Sequence, residues 1–117
     1  MYKKLKKVLV LYVGGTIGMQ KMEGGVYAPV ANAFVHKVKY HTELHDADLA
    51  KQYFPNLKEN ELVLPVDSKT MILTTYEIVE YQPLLDSSNM GYKDWIRIAK
   101  DIEVIYFPLS LSFFKYI

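Results

Sequence analysis

A short apolar run that ends in a glycine turn limits the fold of this chain more than any other segment. Residues 8–13 (VLVLYV) carry no charge and include three valines, and Gly14, Gly15, Thr16 and Gly18 lie directly behind them. An uncharged run rich in β-branched residues is typical of a strand buried on both faces of a parallel sheet. Open α/β sheets bind ligands at the carboxyl ends of their strands, so Thr16 is a candidate site residue.

The glycine turn alone leaves three interpretations open. It fits a reactive threonine, a purely structural turn or a phosphate-binding loop in an unrelated α/β protein. The adjacent Gly14 and Gly15 do not form the dinucleotide-binding pattern G-x-G-x-x-G, and the sequence contains no G-x-x-x-x-G-K-[ST]. A nucleotide ligand is therefore the weakest of the three alternatives.

Three separated motifs together indicate a family. They are Leu11–Met19 (LYVGGTIGM), Gly25–Pro29 (GVYAP) and Tyr81–Met90 (YQPLLDSSNM), and the last leads into a helical segment that contains Asp94 and Trp95. In order and spacing they resemble the amino-terminal part of the bacterial-type L-asparaginases. The similarity is greatest to the cytoplasmic type I branch, which also supplies the asparaginase domain of animal asparaginase/lysophospholipase proteins.

The resemblance implies a role for five residues. Thr16 matches the nucleophilic threonine that follows the two glycines in this family. Tyr27 matches the tyrosine of the mobile loop that closes over the substrate and orients the threonine. Asp86, Ser87 and Ser88 match the turn that holds the α-carboxylate and α-amino groups of the substrate. The implied partners are L-asparagine and L-aspartate, with no cofactor, and the implied location is the cytoplasm.

The chemistry implied by the resemblance is deamidation of asparagine. A hydroxyl attacks the side-chain amide carbon, ammonia leaves, and water releases aspartate from the acyl-enzyme. A threonine hydroxyl needs a base and oxyanion donors, which in the family involve a His-Gly-Thr-Asp-Thr motif and a later lysine. The 117 residues do not contain that motif, and Val13 stands where the family usually has a threonine. We therefore expect little or no hydrolysis by this chain alone. The alternative is a non-catalytic binding or regulatory module that associates with full-length subunits or with itself.

The predicted fold class is α/β, a partial parallel-sheet, flavodoxin-like amino-terminal asparaginase domain. We expect this incomplete domain to span residues 1–103, followed by a divergent apolar tail over residues 104–117. The tail is shorter than the roughly 20 residues of a membrane-spanning helix. It suits either an aberrant ending or a pair of buried strands.

The remaining elements follow from local patterns. Predicted helices begin at Asn32, cover Leu44–Tyr53 and include the i, i+3, i+4, i+7 repeat of Trp95, Ile98, Ala99 and Ile102. The segment Met71–Glu80 predicts a strand.

Composition excludes several classes of function. A net charge of +1 gives no basis for binding nucleic acid, and the absence of cysteine excludes disulfides and thiolate metal sites. No targeting signal is expected, because the apolar run after the amino-terminal lysines is too short for a signal peptide. No membrane partner is expected either. His41 and His45 are interpreted as part of a solvent-facing polar patch, not a metal site, and Glu77 and Glu80 as solvated charges.

Overall fold

The structure is a computed structural model that describes residue 2, residues 4–85 and residues 89–113. The chain divides into two compact units, Met1–Leu85 and Asp86–Ile117. The first unit contains five strands and two helices among its described residues: β1 Lys4–Tyr12, β2 Met19–Lys21, β3 Tyr27–Pro29, α1 Ala33–Lys39, α2 Ala47–Tyr53, β4 Glu61–Val63 and β5 Ile72–Glu80. The second unit contains helix α3, Tyr92–Phe113.

The main sheet has three strands in the order β1-β5-β4. Strands β1 and β5 are parallel and stay in register from Lys4 opposite Ile72 to Tyr12 opposite Glu80. Strand β4 is antiparallel to β5, so the sheet is mixed, with the parallel pair β1 and β5 as its predicted part. The α/β class is confirmed, and the carboxyl ends of β1 and β5 lie at one edge of the sheet.

Burial in this sheet is deep in β5 and β4, where Leu62 and Val63 are fully buried, and shallow along most of β1. The central strand β5 buries Leu73, Thr75, Tyr76 and Ile78. Strand β1 has a partner on one side within the described sheet, and Val8 is 46% exposed. The prediction of a strand at residues 8–13 is confirmed, but the prediction that it is buried on both faces is wrong.

Helix α1 covers one face of the sheet and completes the core. The buried cluster joins Tyr12, Val38, Leu62, Tyr76 and Ile78, with Phe34 and Val35 of the helix packed against it. The helix begins after Asn32, as predicted, although the side chain of Asn32 makes no capping bond.

A second, two-stranded sheet lies between β1 and α1 in the sequence. Strands β2 and β3 pair antiparallel, with Met19 opposite Pro29 and Lys21 opposite Tyr27. Gly24 and Gly25 have φ angles of 87° and 85°, which side chains disfavour, so these glycines allow the tight reversal between the strands. The sequence did not predict this hairpin.

Helix α2 is shorter than its pattern predicted. It begins at Ala47 because Asp46 caps it, its carboxylate accepting a hydrogen bond from the Leu49 N–H at 3.0 Å. The preceding residues are bonded to the sheet instead: the Tyr76 hydroxyl donates to the Leu44 carbonyl, and the Asp46 N–H donates to the Val63 carbonyl at 2.8 Å.

Helix α3 starts at Tyr92 with a polar contact at its first turn. The Asp94 carboxylate accepts a hydrogen bond from the Gly91 N–H at 3.0 Å, which places a negative charge at the positive end of the helix dipole. The helix continues to Phe113, so the alternative of two strands in the tail is wrong for residues 104–113. Across the part of the chain that the structure describes, we find no helix with the length and apolar character needed to span a bilayer.

Candidate functional site

The candidate site begins where β1 ends at the glycine pair. Gly14 has a φ angle of 129°, and a β-carbon there would overlap the carbonyl oxygen of Leu85. The Val13 carbonyl accepts a hydrogen bond from the Leu85 N–H at 2.7 Å, and the Tyr12 carbonyl accepts one from the Tyr81 N–H at 2.9 Å. The backbone after β5 therefore runs directly against the end of β1, and glycine at position 14 permits that approach.

Thr16 opens a 3₁₀ turn that ends at Gly18. The turn is closed by a hydrogen bond from the Gly18 N–H to the Gly15 carbonyl at 3.1 Å. Gly15 has a φ angle of 136° and open space around it, so this residue supplies the backbone conformation that leads into the turn. The predicted glycine turn is therefore present, with Thr16 at its start.

The structure brings Tyr27 to the neighbourhood of this turn. Tyr27 begins β3, and β3 lies next to the Thr16–Gly18 turn. Its side chain is 61% exposed, so the ring and hydroxyl are accessible to a ligand. Two of the predicted site residues, Thr16 and Tyr27, therefore lie on adjacent elements of the first unit.

The predicted substrate turn cannot be placed in the same way. Asp86, Ser87 and Ser88 lie outside the described residues. Leu85, which precedes them in the sequence, is the residue bonded to Val13.

Two further residues, Tyr12 at the end of β1 and Glu80 at the end of β5, lie beside the candidate site. Both carboxylate oxygens of Glu80 accept the Asn32 N–H, at 2.9 and 3.1 Å, so the interpretation of Glu80 as a merely solvated charge is wrong. Tyr12, opposite Glu80 in the sheet, is buried, and this burial together with the Glu80 charge raises the pKa of its hydroxyl. The sequence signal for Glu80 was a charged residue at the last position of the predicted strand Met71–Glu80.

His45 is also not part of a solvent-facing patch. Its Nδ1 accepts a hydrogen bond from the Val63 N–H at 3.2 Å, which leaves the proton of the neutral ring on Nε2. Burial and the nearby Lys39 lower the pKa of this imidazole. His41 is exposed, as expected.

His45 is one of ten residues that line a surface groove of about 370 Å³: Lys39, His45, Ala50, Lys51, Phe54, Pro55, Leu57, Lys58, Glu59 and Glu61. Neither Thr16 nor Tyr27 belongs to this lining. Among the described residues, no group of three or more His, Asp or Glu side chains could hold a metal ion.

The parallel strands β1 and β5, with a glycine turn and Thr16 behind the end of β1, define an α/β protein with its candidate site at the carboxyl edge of the sheet. The family description "Asparaginase, N-terminal" matches residues 7–107. This chain belongs to the asparaginase family.

Individual relatives agree with this assignment. The chain is 42% identical to an L-asparaginase of Dirofilaria immitis over 99 residues, covering 85% of this chain and 17% of that protein. It is 39% identical to the 60 kDa lysophospholipase of Mus musculus over 98 residues, covering 84% and 16%. To L-asparaginase 1 of Escherichia coli K12 it is 33% identical over 101 residues, covering 86% and 22%.

A solved structure gives the same result. The crystal structure of L-asparaginase I from Vibrio cholerae O1 biovar eltor matches with a TM-score of 0.53 and 28% identity, covering 86% of this chain and 22% of that chain. The chain therefore spans about a fifth of the length of the proteins that it matches.

Proposed function

We propose that this chain carries the nucleophile and the substrate-binding turn of an L-asparagine amidohydrolase. Thr16 is the nucleophile, Tyr27 orients it from the neighbouring hairpin, and Asp86, Ser87 and Ser88 bind the α-carboxylate and α-amino groups of the amino acid. The Thr16 hydroxyl oxygen forms an ester with the side-chain carbonyl carbon as the C–N bond breaks and ammonia leaves. Water then cleaves the ester, which releases aspartate and restores the hydroxyl. A cytoplasmic location is part of the same proposal.

The observation that supports this proposal is the contact between the two strand ends. The hydrogen bond from the Leu85 N–H to the Val13 carbonyl joins the residue before the serine turn to the residue before the glycine pair. The two predicted motifs are 70 positions apart, from Thr16 to Asp86, and this bond joins Val13 and Leu85, residues that lie shortly before them in the sequence. The position of Tyr27 beside the threonine turn adds to that support.

For the 117-residue chain by itself, we propose that product binding is retained and hydrolysis is weak or absent. The reason is chemical: the chain contains no His-Gly-Thr-Asp-Thr sequence, and an isolated threonine hydroxyl lacks the base and the oxyanion donors that it needs. An ammonia-release assay on the purified chain should give no turnover above background. Turnover that Thr16→Ala abolishes would contradict this part of the proposal.

A binding experiment tests the substrate turn. A ligand that binds only the folded state raises the apparent stability, so L-aspartate should raise the melting temperature and ATP should not. Ser87→Ala and Ser88→Ala should each reduce the shift that L-aspartate causes. Ser68→Ala is the matched control, because Ser68 is exposed and is assigned no role in the site. A shift with ATP and none with L-aspartate would favour a nucleotide-binding loop.

A chimera tests the nucleophile. Residues 7–107 of this chain would replace the matching part of L-asparaginase 1 of Escherichia coli, to which the chain is 33% identical. We expect the chimera to release ammonia from L-asparagine and Thr16→Ala to abolish that activity while the protein stays folded. Thr70→Ala is the control, because Thr70 is an exposed threonine before β5. An active Thr16→Ala chimera would contradict the assignment.

A further inference from the structure

Tyr12 combines a buried ring with a hydroxyl that the described residues leave without a hydrogen-bond partner. It ends β1 and is 6% exposed. Its ring stacks on Phe34 of α1 with the centroids 4.1 Å apart and the planes 24° from parallel. The hydroxyl has no hydrogen-bond partner among the described residues, and it is shielded from solvent.

The hydroxyl lies directly against the turn that carries Thr16. A β-carbon at Gly18 would overlap the hydroxyl oxygen of Tyr12 and the ring carbon that bears it. Gly18 is the last residue of the Thr16–Gly18 turn, so the phenol occupies the space that a side chain at position 18 would fill. Any movement of this turn changes the surroundings of the hydroxyl.

A buried hydroxyl with no hydrogen-bond partner lowers the stability of the fold. Phenylalanine would fill the same space as Tyr12 without burying a hydroxyl. Burying a polar group with no partner costs free energy that a paired group does not lose. Buried groups of this kind call for an explanation, and a role in function is one. Burial and the charge of Glu80 also raise the pKa of this hydroxyl, which keeps it protonated and available as a donor.

We propose that Tyr12 is a positioning residue for the Thr16 turn and that its hydroxyl finds its acceptor in the ligand-bound state. When L-aspartate occupies the site, the turn shifts over Tyr12 and the hydroxyl donates a hydrogen bond to an oxygen of the turn. Tyr12 thereby holds the backbone that presents Thr16, without touching the ligand. This inference rests on the proposed function.

Tyr12→Phe tests the inference, and Tyr76→Phe is the matched control. Both tyrosines are buried in the same core cluster, but the Tyr76 hydroxyl already donates to the Leu44 carbonyl in the free protein. We expect Tyr12→Phe to leave the urea midpoint of the free chain unchanged or raised and to weaken L-aspartate binding roughly two- to ten-fold, the effect of one neutral hydrogen bond. Tyr76→Phe should lower the midpoint and leave the affinity within about two-fold of the wild type, because it removes a bond outside the site.

The possible results separate this inference from the proposed function. If the wild-type chain binds L-aspartate and Tyr12→Phe binds it equally well, the inference is wrong and the proposed function stands. If Tyr12→Phe lowers the urea midpoint as Tyr76→Phe does, the hydroxyl is already paired in the free chain and the inference is wrong. If the wild-type chain does not bind L-aspartate, the proposed function fails for this chain and the inference fails with it.

Discussion

Gly14 and Gly15 are neighbours with nearly the same φ, 129° and 136°, but they differ in what surrounds them. Both angles are unfavourable for a residue with a β-carbon. At Gly14 a β-carbon would also overlap the Leu85 carbonyl, whereas at Gly15 it would meet open space. Substitutions at the two positions therefore distinguish the cost of the strained φ angle, which both share, from the cost of steric overlap, which only Gly14 has.

We expect Gly15→Ala to lower the free energy of unfolding by about 1–3 kcal/mol, the cost of the strained backbone angle. Gly14→Ala should lose a further 1–3 kcal/mol or so, because the added methyl group forces Leu85 away from β1. Urea denaturation of both variants measures the difference. Equal losses of unfolding free energy in the two variants would show that the position of Leu85 does not depend on glycine at position 14.

His45 gives the chain a pH-dependent stability. Burial, followed by the charge of Lys39, lowers the pKa of its imidazole from the ordinary value of 6.5. In the unfolded chain the pKa returns to that value, so below about pH 6.5 the unfolded state binds more protons than the folded state. The free energy of unfolding therefore falls as the pH is lowered through this range, because a protonated Nδ1 cannot accept the Val63 N–H.

Denaturation at pH 7.5, 6.5 and 5.5 checks this expectation with two variants. His45→Gln should lose stability at pH 7.5 and show a flatter dependence on pH, because it removes the titrating group. His41→Gln should keep the wild-type dependence, since His41 is exposed. If the two variants respond to pH alike, His45 is not the group responsible.

At the scale of elements, Asp46 decides where α2 begins. Its carboxylate accepts the Leu49 N–H at 3.0 Å, and an N-cap of this kind contributes about 1 kcal/mol. We therefore expect Asp46→Ala to lower the free energy of unfolding by roughly 1 kcal/mol, measured by urea denaturation. Asp46→Asn is the control and should lose much less, because asparagine caps helices about as well as aspartate. Similar losses in both variants would indicate that the charge matters more than the cap.

The elements predicted from the sequence are those that a local pattern specifies. The strand β5 follows from a run of apolar residues and threonines, α1 from the capping residue Asn32, and α3 from an i, i+3, i+4, i+7 repeat. Strand β4 was missed because it has three residues, Glu61–Val63, and depends on bonds to distant positions. One of them is the bond from the Val63 N–H to His45, a residue 18 positions away. A prediction from short stretches of sequence cannot include a bond between residues this far apart.

The candidate site likewise contains features that a local pattern predicts and features that it does not. The turn that starts at Thr16 was predictable because its glycines are visible in the sequence. The bond between Glu80 and Asn32 joins residues 48 positions apart, and the contact between Tyr12 and Gly18 requires the ring packing given by α1. Such features depend on tertiary structure. The expected boundary between residues 103 and 104 stays a prediction, and α3 continues across it.

At the scale of the molecule, we expect β1 to decide whether the chain associates with other copies. Within the described sheet it pairs on one side, with β5, and Leu5 and Val8 are 43% and 46% exposed. An exposed strand edge is a template for pairing with another chain, and lysines on the strand oppose such pairing. Lys6 and Lys7 are both exposed between Leu5 and Val8. Lys6 shares a strand face with Val8, so its charge interrupts what would be a longer apolar face.

We therefore expect Lys6→Ile to make the protein associate at concentrations where the wild type does not, because it removes the charge and extends the apolar, β-prone run. Lys37→Ile is the matched control: it changes the net charge by the same amount on an exposed position of α1, away from any strand edge. Size-exclusion chromatography with light scattering over a concentration series measures the species present. If both variants associate equally, loss of charge alone is the cause. If Lys6→Ile elutes like the wild type at every concentration, β1 is protected by something other than its lysines.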